Sequence, residues 1–109
     1  MTNETRRGAR FSELLSKELK GAITANGYTV KEVCRAIDLN PSTFSNYVNG
    51  SRMLPSDVYA DACEFIKVEP AILVDRAYDR LEAEIPLTLA AKSTPYDVRA
   101  QIEAEQEEP

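Results

Sequence analysis

Apolar residues recur at helical spacing in five separate stretches of this 109-residue chain. Apolar positions three or four residues apart are typical of an amphipathic helix with one buried face. The stretches so patterned are residues 11–26, 30–37, 41–48, 57–66 and 70–84. The sequence therefore predicts an all-α fold of five helices, followed by a short, partly helical C-terminal tail.

The signals for helix ends are densest in residues 29–50, where two short helices are predicted around a tight turn. Thr29 can cap the first helix, and Glu32, three residues later, completes a capping box. Asp38 and Leu39 form the predicted turn, because aspartate tolerates the left-handed backbone better than most residues. The pattern thus places two helices close together in sequence and in space.

The second helix of this pair has an unusual outer face. Asn40 caps it, Pro41 occupies its first position, and Gly50 supplies the positive φ at its end. The outward residues are Ser42, Thr43, Ser45, Asn46 and Asn49. They are small, polar and uncharged, whereas a helix exposed only to water usually carries Lys and Glu. The face therefore indicates a partner that is rich in hydrogen-bond donors and acceptors.

In their order and spacing, these features resemble the helix-turn-helix of the lambda-repressor and Cro family, and the likeness extends to about Ala77. It rests on small Cys34 facing the turn, apolar Leu39 in the turn and Phe44 inside the second helix. An Asn-Gly pair and a basic-then-proline loop, Ser51-Arg52-Met53-Leu54-Pro55, follow. The resemblance implies a lambda-repressor-like DNA-binding domain of five helices.

The resemblance also implies a division of the chain into three parts. Residues 1–10 would form a flexible basic arm, residues 11–84 the DNA-binding domain, and residues 85–109 an acidic extension that contacts a second copy or another partner. Two positions depart from the family: Asp38 stands where glycine is frequent, and Pro41 where many relatives have a long base-contacting side chain. Base readout would consequently shift along the second helix.

The docking geometry of the family assigns roles to individual residues. The predicted base contacts are Ser42, Thr43, Ser45, Asn46 and Asn49, with Asn46 suited to bidentate contact with adenine. The predicted phosphate contacts are Val30 and Lys31 at a helix N-terminus, together with Arg35, Ser51 and Arg52. Arg6, Arg7 and Arg10 of the N-terminal arm are expected to follow the DNA backbone or enter a groove.

The fifth predicted helix has two adjoining rows of apolar residues, although one row would close a small domain. The second row indicates a homodimer contact through Val74, Tyr78, Leu81 and Ile85. One broad row covered by the C-terminal tail is the alternative. Two copies would bind a palindromic operator with half-sites about 34 Å apart.

The net charge of −5 would by itself argue against nucleic acid, but the charge is unevenly distributed. Eight basic and five acidic residues lie before Asp57, whereas five basic and thirteen acidic residues lie from Asp57 onward. Exposed charges are screened over about 8 Å at physiological salt, so a distant acidic tail does not cancel a local basic face. Double-stranded DNA remains compatible with the composition.

Composition also restricts where the protein is expected to reside and which chemistry it can perform. No run approaches the roughly 18 apolar residues of a membrane span, and the first residues lack the apolar segment of a signal peptide, so we expect a cytoplasmic protein. Cys34 and Cys63 fall on predicted inner faces, where cysteine behaves as a small hydrophobic residue. Histidine is absent and no catalytic constellation is visible, so we expect neither an enzyme nor a bound metal or cofactor.

The prediction from sequence is a sequence-specific transcriptional regulator, a dimeric repressor of the phage-immunity or Cro type. The same features fit a host regulator or an antitoxin that regulates its own transcription. A different class is a protein–protein interaction module that binds a regulator or a polymerase instead of DNA.

Overall fold

A computed structural model describes residues 6–86 of the chain. Within these residues the protein consists of five α-helices and no strand. The helices are α1 (Arg7–Ala25), α2 (Val30–Ala36), α3 (Pro41–Val48), α4 (Ser56–Ile66) and α5 (Pro70–Glu84). The predicted all-helical class is confirmed for this part of the chain, and the partly helical tail lies outside it.

Helix α1 is the scaffold of the domain, since it packs against each of the other four helices. Its longest contact is with α5. The main core contains buried residues of all five helices, among them Leu19, Val33, Phe44, Ile66 and Leu73. A second cluster joins the outer parts of α1 and α5 through Leu14, Ala77 and Leu81. Burial of these apolar side chains supplies the main driving force for the fold.

The predicted helix ends around α2 and α3 are confirmed. Thr29 accepts a hydrogen bond from the Glu32 amide, and the Glu32 carboxylate accepts one from the Thr29 amide, which completes the capping box. Asp38 has a φ of 59° and Gly50 a φ of 85°, so both turns use the left-handed backbone. Aspartate fills the first of these positions at a modest conformational cost.

Two predicted helix starts differ from the structure. Helix α1 begins at Arg7 instead of Phe11, because the Arg7 and Arg10 side chains are bound along α5. Ser56 stands just before the predicted stretch 57–66, and serine at that place predicts an N-cap. In the structure Pro55 is the N-cap of α4, without a side-chain hydrogen bond, and Ser56 is the first helical residue. An extended Pro55 leaves Ser56 already inside the helix.

The α4–α5 junction is held by Tyr59, a buried residue of α4. Its hydroxyl donates a hydrogen bond to the carbonyl oxygen of Pro70, the first residue of α5. Burial raises the pKa of Tyr59, because the phenolate would lose its hydration. Burial likewise raises the pKa of the nearby Cys63 thiol. Both groups therefore stay protonated near neutral pH and serve the packing of the core.

Candidate nucleic-acid interface

Helix α3 is fixed to the core by its inner face. Phe44 is completely buried and Val48 is 3% exposed. At its N-terminus, the Asn40 side-chain oxygen accepts hydrogen bonds from the amides of Ser42 at 2.8 Å and Thr43 at 3.3 Å. These contacts settle which side of the helix faces outward.

The five predicted base-contact residues all reach the surface. Ser42, Ser45 and Asn49 are exposed, while Thr43 and Asn46 are half-buried at the edges of the outer face. Within residues 6–86, the side chains of Ser42, Ser45 and Asn46 make no hydrogen bond. Their hydrogen-bonding groups are thus available to a partner, as base readout would require.

The loop after α3 is tied to the helix by several hydrogen bonds. The Arg52 amide donates to the Asn46 carbonyl oxygen at 3.2 Å, and Arg52 itself is exposed. Ser51 donates two hydrogen bonds to the Asn49 side-chain oxygen, from its amide at 3.0 Å and from its hydroxyl at 2.7 Å. Because the Ser51 hydroxyl proton is used in this bond, its predicted donation to a phosphate requires that bond to break.

The N-terminus of α2, the second predicted phosphate site, carries an acidic group. The amides of Val30 and Lys31 precede the first intrahelical hydrogen bond and are the expected donors. The Glu32 carboxylate binds the Thr29 amide at 2.8 Å, which places a negative charge at the same helix end. A phosphate here would depend on the exposed Lys31 side chain to offset that charge.

A cleft that was not foreseen from the sequence lies between α2 and the start of α3. It has a volume of about 320 Å³ and is lined by Lys31, Cys34, Arg35, Asp38, Leu39 and Pro41. Two of the predicted phosphate contacts, Lys31 and Arg35, therefore share one concave surface next to α3. Their spacing of four residues is the sequence signal for a shared helix face.

The predicted N-terminal arm requires correction for two of its three arginines. Arg7 lies in α1, where it donates hydrogen bonds to the Ile85 carbonyl oxygen, to Tyr78 and to Glu82. Arg10 donates two hydrogen bonds to Glu84, at 2.7 and 2.8 Å, and one to Glu13. Both guanidinium groups are already paired with carboxylates, so residues 7–10 are not an extended basic arm. Arg6 is exposed just before α1.

The pairing of Arg7 with Glu82 and of Arg10 with Glu84 reduces the basic charge that the residues before Asp57 can offer to a partner. Hydrogen bonds to Arg10 lower the pKa of Glu84, and the bonds to Glu84 and Glu13 raise the pKa of Arg10. Both groups consequently carry full charge at neutral pH and neutralise each other locally. The basic residues beside α3 that remain exposed are Lys31, Arg35 and Arg52.

The predicted dimer contact is only partly at the surface. Leu81 is 1% exposed and belongs to the cluster between α1 and α5, while Val74 and Ile85 pack against the core. Tyr78 is 45% exposed, with Phe11 against its ring edge. Leu81 is therefore wrong as a contact with a second copy, because one broad apolar row of α5 closes the monomer and leaves Tyr78 outside.

Both cysteines are buried, as predicted from their positions on inner faces. Among residues 6–86, no cluster of Cys, Asp and Glu side chains has the arrangement of a metal site. No helix in this same range is long and apolar enough to cross a membrane. The chain gives no match to protein-family models, to curated proteins or to solved structures.

Proposed function

We propose that this protein is a sequence-specific DNA-binding regulator of transcription whose α3 helix enters the major groove. The observation that carries the proposal is the outer face of α3. There, exposed, uncharged hydrogen-bonding side chains stand on a helix fixed by buried Phe44 and Val48. Such a face meets the requirement of the groove, where base edges present donors and acceptors at short range.

The charges next to α3 support the same proposal. Arg52 follows the helix directly, and Lys31 and Arg35 line the cleft beside its N-terminus. Phosphates flank the major groove, so cations next to both ends of the inserted helix would hold it in register. The likeness of residues 29–77 to the lambda-repressor and Cro helix-turn-helix adds to the proposal, and repression is the mode of regulation it favours.

Selection of bound fragments from the source genome, at stated salt and with non-specific competitor, tests the proposal. A specific site should be enriched, and its symmetry would give the half-site spacing. Asn46→Ala should weaken binding by about 1–3 kcal/mol and relax the preference at one base pair. Recovery of no enriched sequence at moderate salt would contradict the proposal.

Two variants that each remove one positive charge test whether α3 is the helix inserted into the major groove. Arg52→Ala should weaken binding to all sequences alike and flatten the salt dependence, because Arg52 is assigned to a phosphate. Arg76→Ala removes the same charge from an exposed position on α5 and should leave both properties nearly unchanged. Equal effects from the two variants would mean that α3 is not the inserted helix.

We further propose that two copies bind a palindromic operator, with their contact centred on the exposed Tyr78. The partly exposed residues that line a groove of about 380 Å³ beside it are Arg7, Gly8, Phe11 and Tyr78. Light scattering of the free and the DNA-bound protein tests the dimer. A protein that stays monomeric on its operator would contradict it.

Two glycines of α1 make a matched test of this contact surface. A Cβ atom added at Gly8 or at Gly21 would have no atom of another part of the domain within 4 Å, so we expect either substitution to leave the backbone undisturbed. Gly8→Gln would fill the groove and should favour the monomer, whereas Gly21→Gln lies outside the groove and should not. Dimerisation that survives Gly8→Gln would place the contact elsewhere.

A further inference from the structure

The side-chain amide of Asn49, at the end of α3, has a defined orientation. Its Oδ1 atom accepts from the Ser51 amide at 3.0 Å and from the Ser51 hydroxyl at 2.7 Å. A backbone N–H group can only donate, so the atom that faces it has to be the oxygen and not the NH₂ group. The orientation of the Asn49 amide is therefore fixed, with Oδ1 directed at Ser51.

Two consequences follow for the surface that α3 presents. Both lone pairs of the Asn49 oxygen are used, so the exposed part of this amide offers only the two N–H donors of Nδ2. The hydroxyl proton of Ser51 is also used, which leaves that side chain without a donor for DNA. Ser51 therefore influences the binding surface by fixing the orientation of the Asn49 side chain.

Asn46, one turn earlier on α3, differs in this respect. Within the described part of the chain, no hydrogen bond holds its side-chain amide. It can present a donor and an acceptor together, the pattern needed for bidentate contact with adenine. Two asparagines of the same helix therefore have different hydrogen-bonding capacities, and the difference is caused by Ser51.

We propose that Ser51 is a positioning residue that makes Asn49 a donor-only contact to an acceptor atom of the bound DNA. The proposal rests on the DNA-binding function proposed above. The acceptor is a phosphate oxygen or a base-edge acceptor such as guanine O6 or N7, since both are reached by a neutral N–H donor. This assignment removes Ser51 from the direct phosphate contacts and leaves bidentate contact with adenine to Asn46.

A double-mutant cycle on the selected operator tests the proposal. Ser51→Ala should weaken binding about 2- to 10-fold, as expected when one neutral hydrogen bond that orients the amide is lost. Asn49→Ala should weaken binding at least as much, and the double variant no further than Asn49→Ala alone. Ser51→Thr keeps the hydroxyl and should restore the wild-type affinity. Additive losses would show that Ser51 contacts DNA itself and would overturn the proposal.

The same variants identify the acceptor when they are tested against a randomised operator pool. If Asn49 donates to a base, Asn49→Ala relaxes the preference at one position. If it donates to a phosphate, affinity falls equally for all sequences. Binding by Asn49→Ala that equals the wild type on every sequence overturns the contact.

Hydrogen exchange in the free protein tests the orientation without DNA. The Ser51 amide should be protected in the wild type and should exchange faster in Asn49→Ala, whereas its rate in Asn46→Ala should not change. Equal rates in all three proteins would overturn the positioning role even if the operator is bound. Protection of Ser51 together with no selected DNA would instead count against the proposed function, and the DNA contact would fall with it. Thermal unfolding of each variant verifies that the exposed substitutions leave the fold intact.

Discussion

The α2–α3 unit is stabilised at its ends by hydrogen bonds between residues two to six positions apart. Helices α1 and α5, by contrast, are joined by polar contacts between residues 62 to 78 positions apart. In the first region, capping residues use backbone groups and leave the side chains of Ser42, Ser45 and Asn46 unbonded. In the second region, arginine and glutamate side chains form salt bridges with each other across α1 and α5. The comparison shows why the exposed polar residues of α3 can bind a partner while Arg7 and Arg10 cannot do so freely.

The largest expected effect comes from the side chain that fixes α3. Phe44→Ala should reduce the free energy of unfolding by about 3–5 kcal/mol, because it removes a fully buried aromatic ring and leaves a cavity. Met53→Ala, at a position 64% exposed in the following loop, should change it by less than about 0.5 kcal/mol. Denaturant unfolding measures both. A loss near 1 kcal/mol for Phe44→Ala would mean that α3 is packed more loosely than described.

The long-range contacts between α1 and α5 provide the next test. Arg7→Ala should cost about 1–2 kcal/mol, since the Arg7 side chain is 11% exposed and bonds the Ile85 carbonyl, Tyr78 and Glu82. Arg6→Ala, one residue earlier and exposed, should cost less than about 0.5 kcal/mol. Equal stabilities of the two variants in thermal unfolding would restore the hypothesis of a free basic arm.

Helix capping separates two residues that look alike in sequence. Asn40→Ala should cost about 1 kcal/mol, because the Asn40 oxygen satisfies two amides at the start of α3. Ser56→Ala should be nearly neutral, because Ser56 is the first residue of α4 and not its cap. Denaturant unfolding of the two variants gives the comparison. A loss of similar size from both would show that Ser56 caps α4 in solution.

The smallest effect is a dependence of stability on acid pH. Hydrogen bonds to Arg10 lower the pKa of Glu84 in the folded protein. Its contribution to stability is therefore present above the unfolded-state pKa of about 4.3 and is lost as the pH falls through the folded-state value. Glu84→Gln should weaken the acid dependence of the unfolding midpoint as the pH falls below about 5, and Arg10→Gln should have the same effect. Unchanged curves for both variants would mean that this exposed pair contributes nothing measurable.

The accuracy of the sequence predictions follows the same division. The capping box at Thr29, the turn at Asp38 and the cap at Asn40 depend on bonds within a few residues, and all three are confirmed. The role of Arg7 depends on a helix that begins more than sixty residues later, and it was wrongly predicted as part of a free arm. The same applies to Leu81, which is buried because α1 covers it.

The sequence predicted which residues form the outer face of α3, but not the hydrogen bond and the cleft that surround them. The five outward residues of α3 follow from helical spacing, and they reach the surface. The bond from the Ser51 hydroxyl to Asn49 was not foreseen, because a serine after a helix can equally donate to solvent or to a phosphate. The cleft that joins Lys31 and Arg35 to Pro41 requires the packing angle between α2 and α3, which periodicity does not contain.

The five helices, the caps of α2 and α3 and the uncharged outer face of α3 follow from the sequence, because each depends on spacing and on hydrogen bonds within one or two turns. The pairing of charges, the exposure of apolar residues on α5 and the orientation of the Asn49 amide became known only from the folded structure. Those properties depend on which groups from distant or non-helical parts of the chain come within about 3 Å of each other, and no local pattern encodes such distances.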